Sequence, residues 1–272
     1  MREFFFWVFL FLILLVYPQR VSAGEWVISS YPIYKICKEI FAEESLYLIQ
    51  PPKGEFHFSE PGPKDWEKIR SAELLLIVGT EPWAKRIYRF QKKENILTLL
   101  REDEKPIDPH LWFDLERVEG FVKTLLNHPS VQRKSNYEKY QKRANEFLVR
   151  LNALKQGYSE LAKCRKKEFY NLGHQVFSYL FKGSPVREVP LIRGHHHGEP
   201  GLKVVREVVA KAKERRVTQI VVTERGFLKH KNFFEREGIE VLEVWSGDWD
   251  APGTFLELLE KNLSVFRRIL DC

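Results

Sequence analysis

Three histidines of this 272-residue chain stand singly among turn-forming residues, where an imidazole can face a ligand rather than a core. His57 lies in Pro51-Pro52-Lys53-Gly54-Glu55-Phe56-His57-Phe58-Ser59-Glu60-Pro61, His110 in Asp108-Pro109-His110-Leu111-Trp112-Phe113-Asp114, and His174 directly after Gly173. Neutral imidazole ligates zinc, copper, nickel and iron, whereas calcium and magnesium sites are built from oxygen. Three histidines with no assigned thiolate point first to zinc. Any one of them alone reads as a surface or hydrogen-bonded histidine; their shared position is what singles them out.

That position follows from the elements around them. Short β-rich runs alternate with helical stretches, the signature of parallel sheets with crossover helices. The first set predicts strands at 26–29, 46–50, 74–78 and 96–99 with helices at 33–41, 63–71 and 81–90. The second predicts strands at 168–172, 187–192, 219–223 and 240–244 with helices at 175–181, 202–215, 228–237 and 254–270. Ligands of such sheets bind in crevices beyond the carboxyl ends of the strands. His57 and His110 fall there in the first set and His174 in the second.

Between the sets, Tyr137, Tyr140, Phe147, Leu148, Leu151, Leu154, Tyr158 and Leu161 recur at three- and four-residue steps. They predict one amphipathic helix over 132–163, ~45 Å long at 1.5 Å per residue. The expected fold is α/β: two (β/α)4-like lobes with parallel sheets, joined by one long rigid helix, with a metal site in the cleft. The expected boundaries are 1–23 for a signal peptide, 24–131 for the first lobe, 132–163 for the linking helix and 164–272 for the second lobe.

The start of the chain carries a basic residue, an apolar run over 4–17 and the small-residue exit Val21-Ser22-Ala23. The run is shorter than the ~20 residues a spanning helix needs, so it reads as a signal peptide cleaved after Ala23 and the protein as periplasmic. No cysteine follows the small residues, so a lipid anchor is not indicated. The net charge of +7 is spread along the chain without an aromatic-and-basic cluster, which argues against a nucleic-acid partner. Cys37 sits in an apolar helical stretch and reads as a buried small hydrophobe. Cys164 and Cys272 both belong to the second half, which leaves one disulfide open between them.

Several segments together resemble the metal-binding periplasmic components of zinc and manganese ABC transporters, the cluster A-I (cluster 9) solute-binding proteins. They are Ser29-Ser30-Tyr31-Pro32-Ile33-Tyr34, residues 54–61 with Pro63-Lys64-Asp65, residues 108–114, Gly173-His174-Gln175-Val176-Phe177-Ser178-Tyr179-Leu180, Glu199-Pro200 and Thr223-Glu224. The resemblance runs in order through the mature chain. It implies capture of a transition-metal ion by His57, His110 and His174 and its delivery to a membrane permease by a monomeric, non-enzymatic protein. A histidine rather than a carboxylate at position 174 favours zinc over manganese.

Family members often add an aspartate from the last cleft loop, here Glu243-Val244-Trp245-Ser246-Gly247-Asp248-Trp249-Asp250, where Trp245 stands at the usual aspartate position. Asp248 is the candidate fourth ligand, Asp250 the reserve, and water the open alternative. Glu60 and Glu224 are candidates for orienting the imidazoles, against helix capping or a salt bridge. The tract His195-His196-His197 is a candidate for recruiting metal, against a solvated loop. Trp112, Phe113, Phe177 and Tyr179 read as core, and His128 and His230 as ordinary surface histidines. The competing readings are a secreted zinc hydrolase using the same histidines, a manganese-type binding protein, and an adhesin. The chain has neither a His-Glu-x-x-His helix nor a Gly-x-Ser-x-Gly elbow to support the hydrolase.

Overall fold

The strand residues sort by parity onto two faces, and the architecture follows from where each face is buried. In the computed structural model, which describes residues 24–49, 60–106, 108–192 and 200–272, Trp26–Ile28 forms β1 and Leu74–Ile77 forms β3. Trp26, Ile28, Leu74 and Leu76 enter one core, while Val27, Leu75 and Ile77 enter another on the opposite face. Both faces of a parallel strand must be covered, which is why these runs are continuously apolar.

Helix α1 (Tyr31–Ile40) follows β1, and strand β2 (Leu46–Leu48) leads towards helix α2 (Pro63–Ser71). After β3 come the short α3 (Ala84–Ile87) and β4 (Ile96–Thr98). The sheet order is β2-β1-β3-β4, with every pair parallel. Helix α4 (Leu115–Leu126), the single turn α5 (Pro129–Gln132) and the long α6 (Tyr137–Glu160) then lead into the second half. There β5 (Glu168–Leu172), β6 (Arg187–Pro190), α7 (Leu202–Glu214), β7 (Gln219–Val222), α8 (Lys231–Arg236), β8 (Glu240–Glu243) and α9 (Phe255–Ile269) repeat the plan. Its sheet has the order β6-β5-β7-β8, again all parallel. The fold is therefore two four-stranded parallel α/β lobes, and in each the strand order reverses beside the first strand of the lobe, the place where such sheets open a crevice.

One expected helix is not formed and another is cut short. Residues 175–177 carry no regular structure and 178–183 are turns; the N–H groups of Val176 and Phe177 donate to the Glu188 carboxylate, which ties this segment to β6. Burial pushes the Glu188 carboxyl up to about 7, against these amides and the Asn171 amide that hold it as an acceptor. Over 81–90 only α3 is helical, since the Glu81 carboxylate turns back to accept from the Val78 and Gly79 amides and spends the first residues in a turn. The expected helix over 228–237 begins as a 3-10 turn, Arg225–His230, before α8.

Helix α6 is shorter than its apolar repeat suggested: the chain turns at 133–136 and re-enters helix at Tyr137. At 24 residues it spans ~36 Å. Its stripe Tyr140, Ala144, Phe147, Leu151, Leu154 and Tyr158 is buried. It packs on α1 and α4 of the first lobe and on α9 of the second. It is thus a member of a central layer rather than a bare strut. The largest core runs through both lobes, from Trp26, Leu76 and Phe113 to Phe147, Phe169, Phe177, Trp245 and Phe266. Across the seam Phe113 and Phe177 lie with ring centroids 4.8 Å apart. At about 1.5–3 kcal/mol for each fully buried large apolar side chain, a seam this apolar holds the lobes together far more strongly than a polar cleft would.

Cys164 and Cys272 are disulfide-bonded, joining the segment after α6 to the residues after α9. Cys37 is a buried free thiol, its pKa pushed up by that burial. No helix among the described residues is long and apolar enough to cross a membrane.

Candidate metal centre

His110 is set by its own tripeptide. Asp108 Oδ1 accepts from the His110 backbone N–H at 2.9 Å and lies 2.5 Å from His110 Nδ1, which ties that nitrogen up and turns Nε2 inward. The ring is 1% exposed and stands edge-on to Trp112, with centroids 5.2 Å apart. Asp108 escaped the sequence reading, although its spacing of two residues before His110 was the available signal.

His174 comes off the end of β5 through Gly173, whose φ of +135° suits glycine. A Cβ there would lie 2.4 Å from Thr223 Oγ1. Glu224, just beyond β7, accepts from the His174 backbone N–H at 3.0 Å and lies 3.1 Å from His174 Nδ1. The Asn171 amide donates to the His174 carbonyl at 2.8 Å. The second imidazole is thus clamped by a carboxylate in the same manner as the first, an arrangement that fixes ring orientation and raises ligand basicity in metal sites.

Asp248 faces both rings. Its Oδ2 is 3.7 Å from His110 Nε2 and 3.5 Å from His174 Nε2, and the two Nε2 atoms are 3.1 Å apart. Ser246 Oγ donates to the same carboxylate at 2.7 Å. Among the described residues this trio is the one group of histidine and acidic side chains compact enough to share an ion. Tetrahedral zinc, with nitrogen and oxygen ligands about 2.0–2.2 Å away, places its ligands about 3.3–3.5 Å from one another. The three separations, 3.1, 3.5 and 3.7 Å, bracket that range.

Electrostatics bind the trio together. Burial opposes a charge on His110, but Asp248 and Asp108 outweigh it and raise the pKa. Burial opposes a charge on His174 as well, yet Asp248 and Glu224 push it up to about 10. Burial would raise the Asp248 carboxyl; the facing histidines instead hold it well below the usual carboxylate range. These shifts favour a protonated imidazole facing the Asp248 carboxylate.

The other candidates fall elsewhere. His57 and the tract His195-His196-His197 lie outside the described residues. Glu60 pairs with Arg86 on the surface, while Asp250 is 66% exposed and pairs with Lys35. Trp245 is buried, with its backbone N–H and carbonyl held by Asn262 and its indole donating to the Trp249 carbonyl. Trp112, Phe113 and Phe177 belong to the central core, and Tyr179 packs against it. His128 caps α5 and His230 contacts the Pro200 carbonyl.

The protein-family model of the zinc-uptake complex component A, periplasmic, matches residues 27–268. The chain belongs to that family. Among its relatives, the high-affinity zinc uptake system protein ZnuA of Bacillus subtilis is 24% identical over 89% of this chain and 86% of its own. The manganese ABC transporter substrate-binding lipoprotein PsaA of Streptococcus pneumoniae is 26% identical over 70% of this chain and 69% of its own. The crystal structure of the Zn(II)-bound ZnuA-like domain of Streptococcus pneumoniae AdcA superposes with a TM-score of 0.76, covering 92% of this chain and all of that domain at 20% identity. As a member of the zinc-uptake component A family, the chain shares the two-lobed fold seen there.

Proposed function

We propose that the protein captures a zinc ion between its lobes at His110, His174 and Asp248, with His57 completing the set, and delivers it to the membrane permease of an ABC transporter. The observation that carries this reading is the triangle of donors at 3.1, 3.5 and 3.7 Å, whose edges fit a tetrahedral zinc ion. Two clamped imidazoles and one carboxylate suit zinc better than the oxygen-rich sites manganese favours. Membership of the zinc-uptake family and the resemblance to a zinc uptake protein from Bacillus subtilis support the same choice. In this reading the protein is exported, cleaved after Ala23 and acts as a monomer. Residues 24–131 and 164–272 form its lobes and 132–163 the connection. It binds without catalysing, in keeping with the metal-uptake family to which it belongs.

Metal analysis and competitive titration of the mature protein with zinc and manganese test the proposal. The expected outcome is one tightly held zinc ion whose binding is lost in His110→Ala and His174→Ala and weakened in His57→Ala and Asp248→Ala. Unchanged zinc affinity in the two histidine variants would sink it, preference for manganese would replace the cargo, and turnover of an ester or peptide would restore the hydrolase.

A further inference from the structure

The segment 244–254 carries Asp248 between β8 and α9, so by chain order it belongs to the second lobe. Its hold there is at its start, where Asn262 on α9 brackets the Trp245 backbone. From Ser246 onward, apart from the Trp245 indole on the Trp249 carbonyl and His174 facing Asp248, its grips come from the first lobe. Trp112 Nε1 donates to the Ser246 carbonyl at 2.9 Å. Gly247, at φ +92°, lies so close that a Cβ would stand 2.4 Å from the Trp112 indole and 2.9 Å from Pro32. Lys35 on α1 then closes the far end: its Nζ donates to the Ala251 carbonyl at 2.6 Å and the Gly253 carbonyl at 3.1 Å and pairs with Asp250 Oδ1 at 2.9 Å. That gives the ammonium as many acceptors as it has N–H bonds, and the side chain is only 11% exposed.

From these contacts we infer that Lys35 is a positioning residue for the metal site, a latch across the lobe seam that holds the Asp248 segment in its ligating conformation and sets how long a bound ion stays. The inference rests on the proposed zinc reading. The shared core leaves little room for the lobes to swing apart, so the barrier to losing the ion resides in a segment able to lift by itself, and 246–253 is free of regular structure. Charge-assisted hydrogen bonds to two carbonyls and a carboxylate order that segment before the ion arrives. An ion then binds without the cost of ordering a loop and leaves only when the latch opens. Lys35 touches neither imidazole in this arrangement; it acts through Asp248.

The test is chelator-driven zinc dissociation from the mature protein, followed by stopped flow, for wild type, Lys35→Met, Asp248→Ala and the double variant. Lys35→Met is expected to release zinc about tenfold faster or more, the range found when an outer support of a metal ligand is removed. In the Asp248→Ala background the same change is expected to add nothing, because the residue through which it acts is gone. Lys35→Arg, which can still donate to all three oxygens, should recover most of the retention. Amide hydrogen exchange of the metal-free proteins supplies a second readout: residues 246–253 should exchange faster in Lys35→Met while β1, β3 and α9 keep their protection. A Lys35→Met rate within twofold of wild type, a full additive effect in the double variant, or loss of protection throughout the fold would each overturn the latch. Failure of wild type to bind zinc at all would instead overturn the reading beneath it.

Discussion

At the scale of residues, the proposed site sets a proton and a metal ion in competition for the same two nitrogens. In the metal-free protein the His174 pKa of about 10 lies above its ordinary 6.5, so its protonation contributes stability in full below pH 6.5. That contribution is lost as the pH climbs through 10. Thermal unfolding of chelator-treated protein should therefore show a falling Tm across this window. Zinc affinity moves the other way, rising about tenfold per pH unit for each proton the ion displaces, which calorimetry between about pH 6 and 8 would record. Glu224→Gln and Asp108→Asn should each weaken zinc binding by about 10–100-fold while leaving the fold intact, because each clamps one imidazole. Circular dichroism beside the titration separates the two effects. The clamps also show what the sequence makes legible. His110, His174 and Asp248, singled out by their loops, lie together in the structure, and Glu224, singled out by its motif, lies against His174. Asp108 was not singled out, and nothing in the order of residues tells that Arg86 pairs with Glu60 across the surface.

Elements were readable where their determinants are local. The runs Trp26–Ile28 and Leu74–Ile77 are apolar on both faces and became strands. Thr254 and Glu257 exchange hydrogen bonds to open α9, one residue from its expected start. The expected helix over 175–181 did not form, and the tether that holds this segment, the Glu188 carboxylate on β6 accepting from the Val176 and Phe177 amides, is not announced by anything local in the sequence. Remote pairing of the same type gives α9 a second task. Asn262 accepts from the Trp245 N–H and donates to the Trp245 carbonyl, both at 2.8 Å and buried. Asn262→Ala would leave two buried backbone groups unmet, at a cost of about 1–3 kcal/mol for each, and would loosen the start of the Asp248 segment. Denaturant melts should register the loss of stability and zinc titration a weaker site; the isolated cap change Thr254→Ala should cost only about 1 kcal/mol and spare the site.

For the whole molecule, two lobes and a long helix were legible from the repeating strand and helix pattern, because crossover connections leave few other topologies. How much the lobes share was not, since the faces of Phe113, Phe147, Phe177 and Phe266 meet only in three dimensions. The shared core predicts that the radius of gyration measured by small-angle scattering stays the same when zinc is added; a contraction would show a hinge that this packing denies. The Cys164–Cys272 bond closes a long stretch of chain, its ends 108 positions apart. Replacing both cysteines by serine should lower stability by about 2–4 kcal/mol, seen in denaturant melts, without changing the amount of zinc held.

A core drawn from both halves also sets a timetable. As the chain is made, the amino-terminal lobe comes first, while the face of α4 that packs on α6 and the faces of α1 that meet α6 and α9 still wait for partners. Until the far end of the chain arrives, those faces are a sticky, uncovered surface, the feature by which holding chaperones choose their clients. Residues 24–131 produced alone should therefore collect in the insoluble fraction.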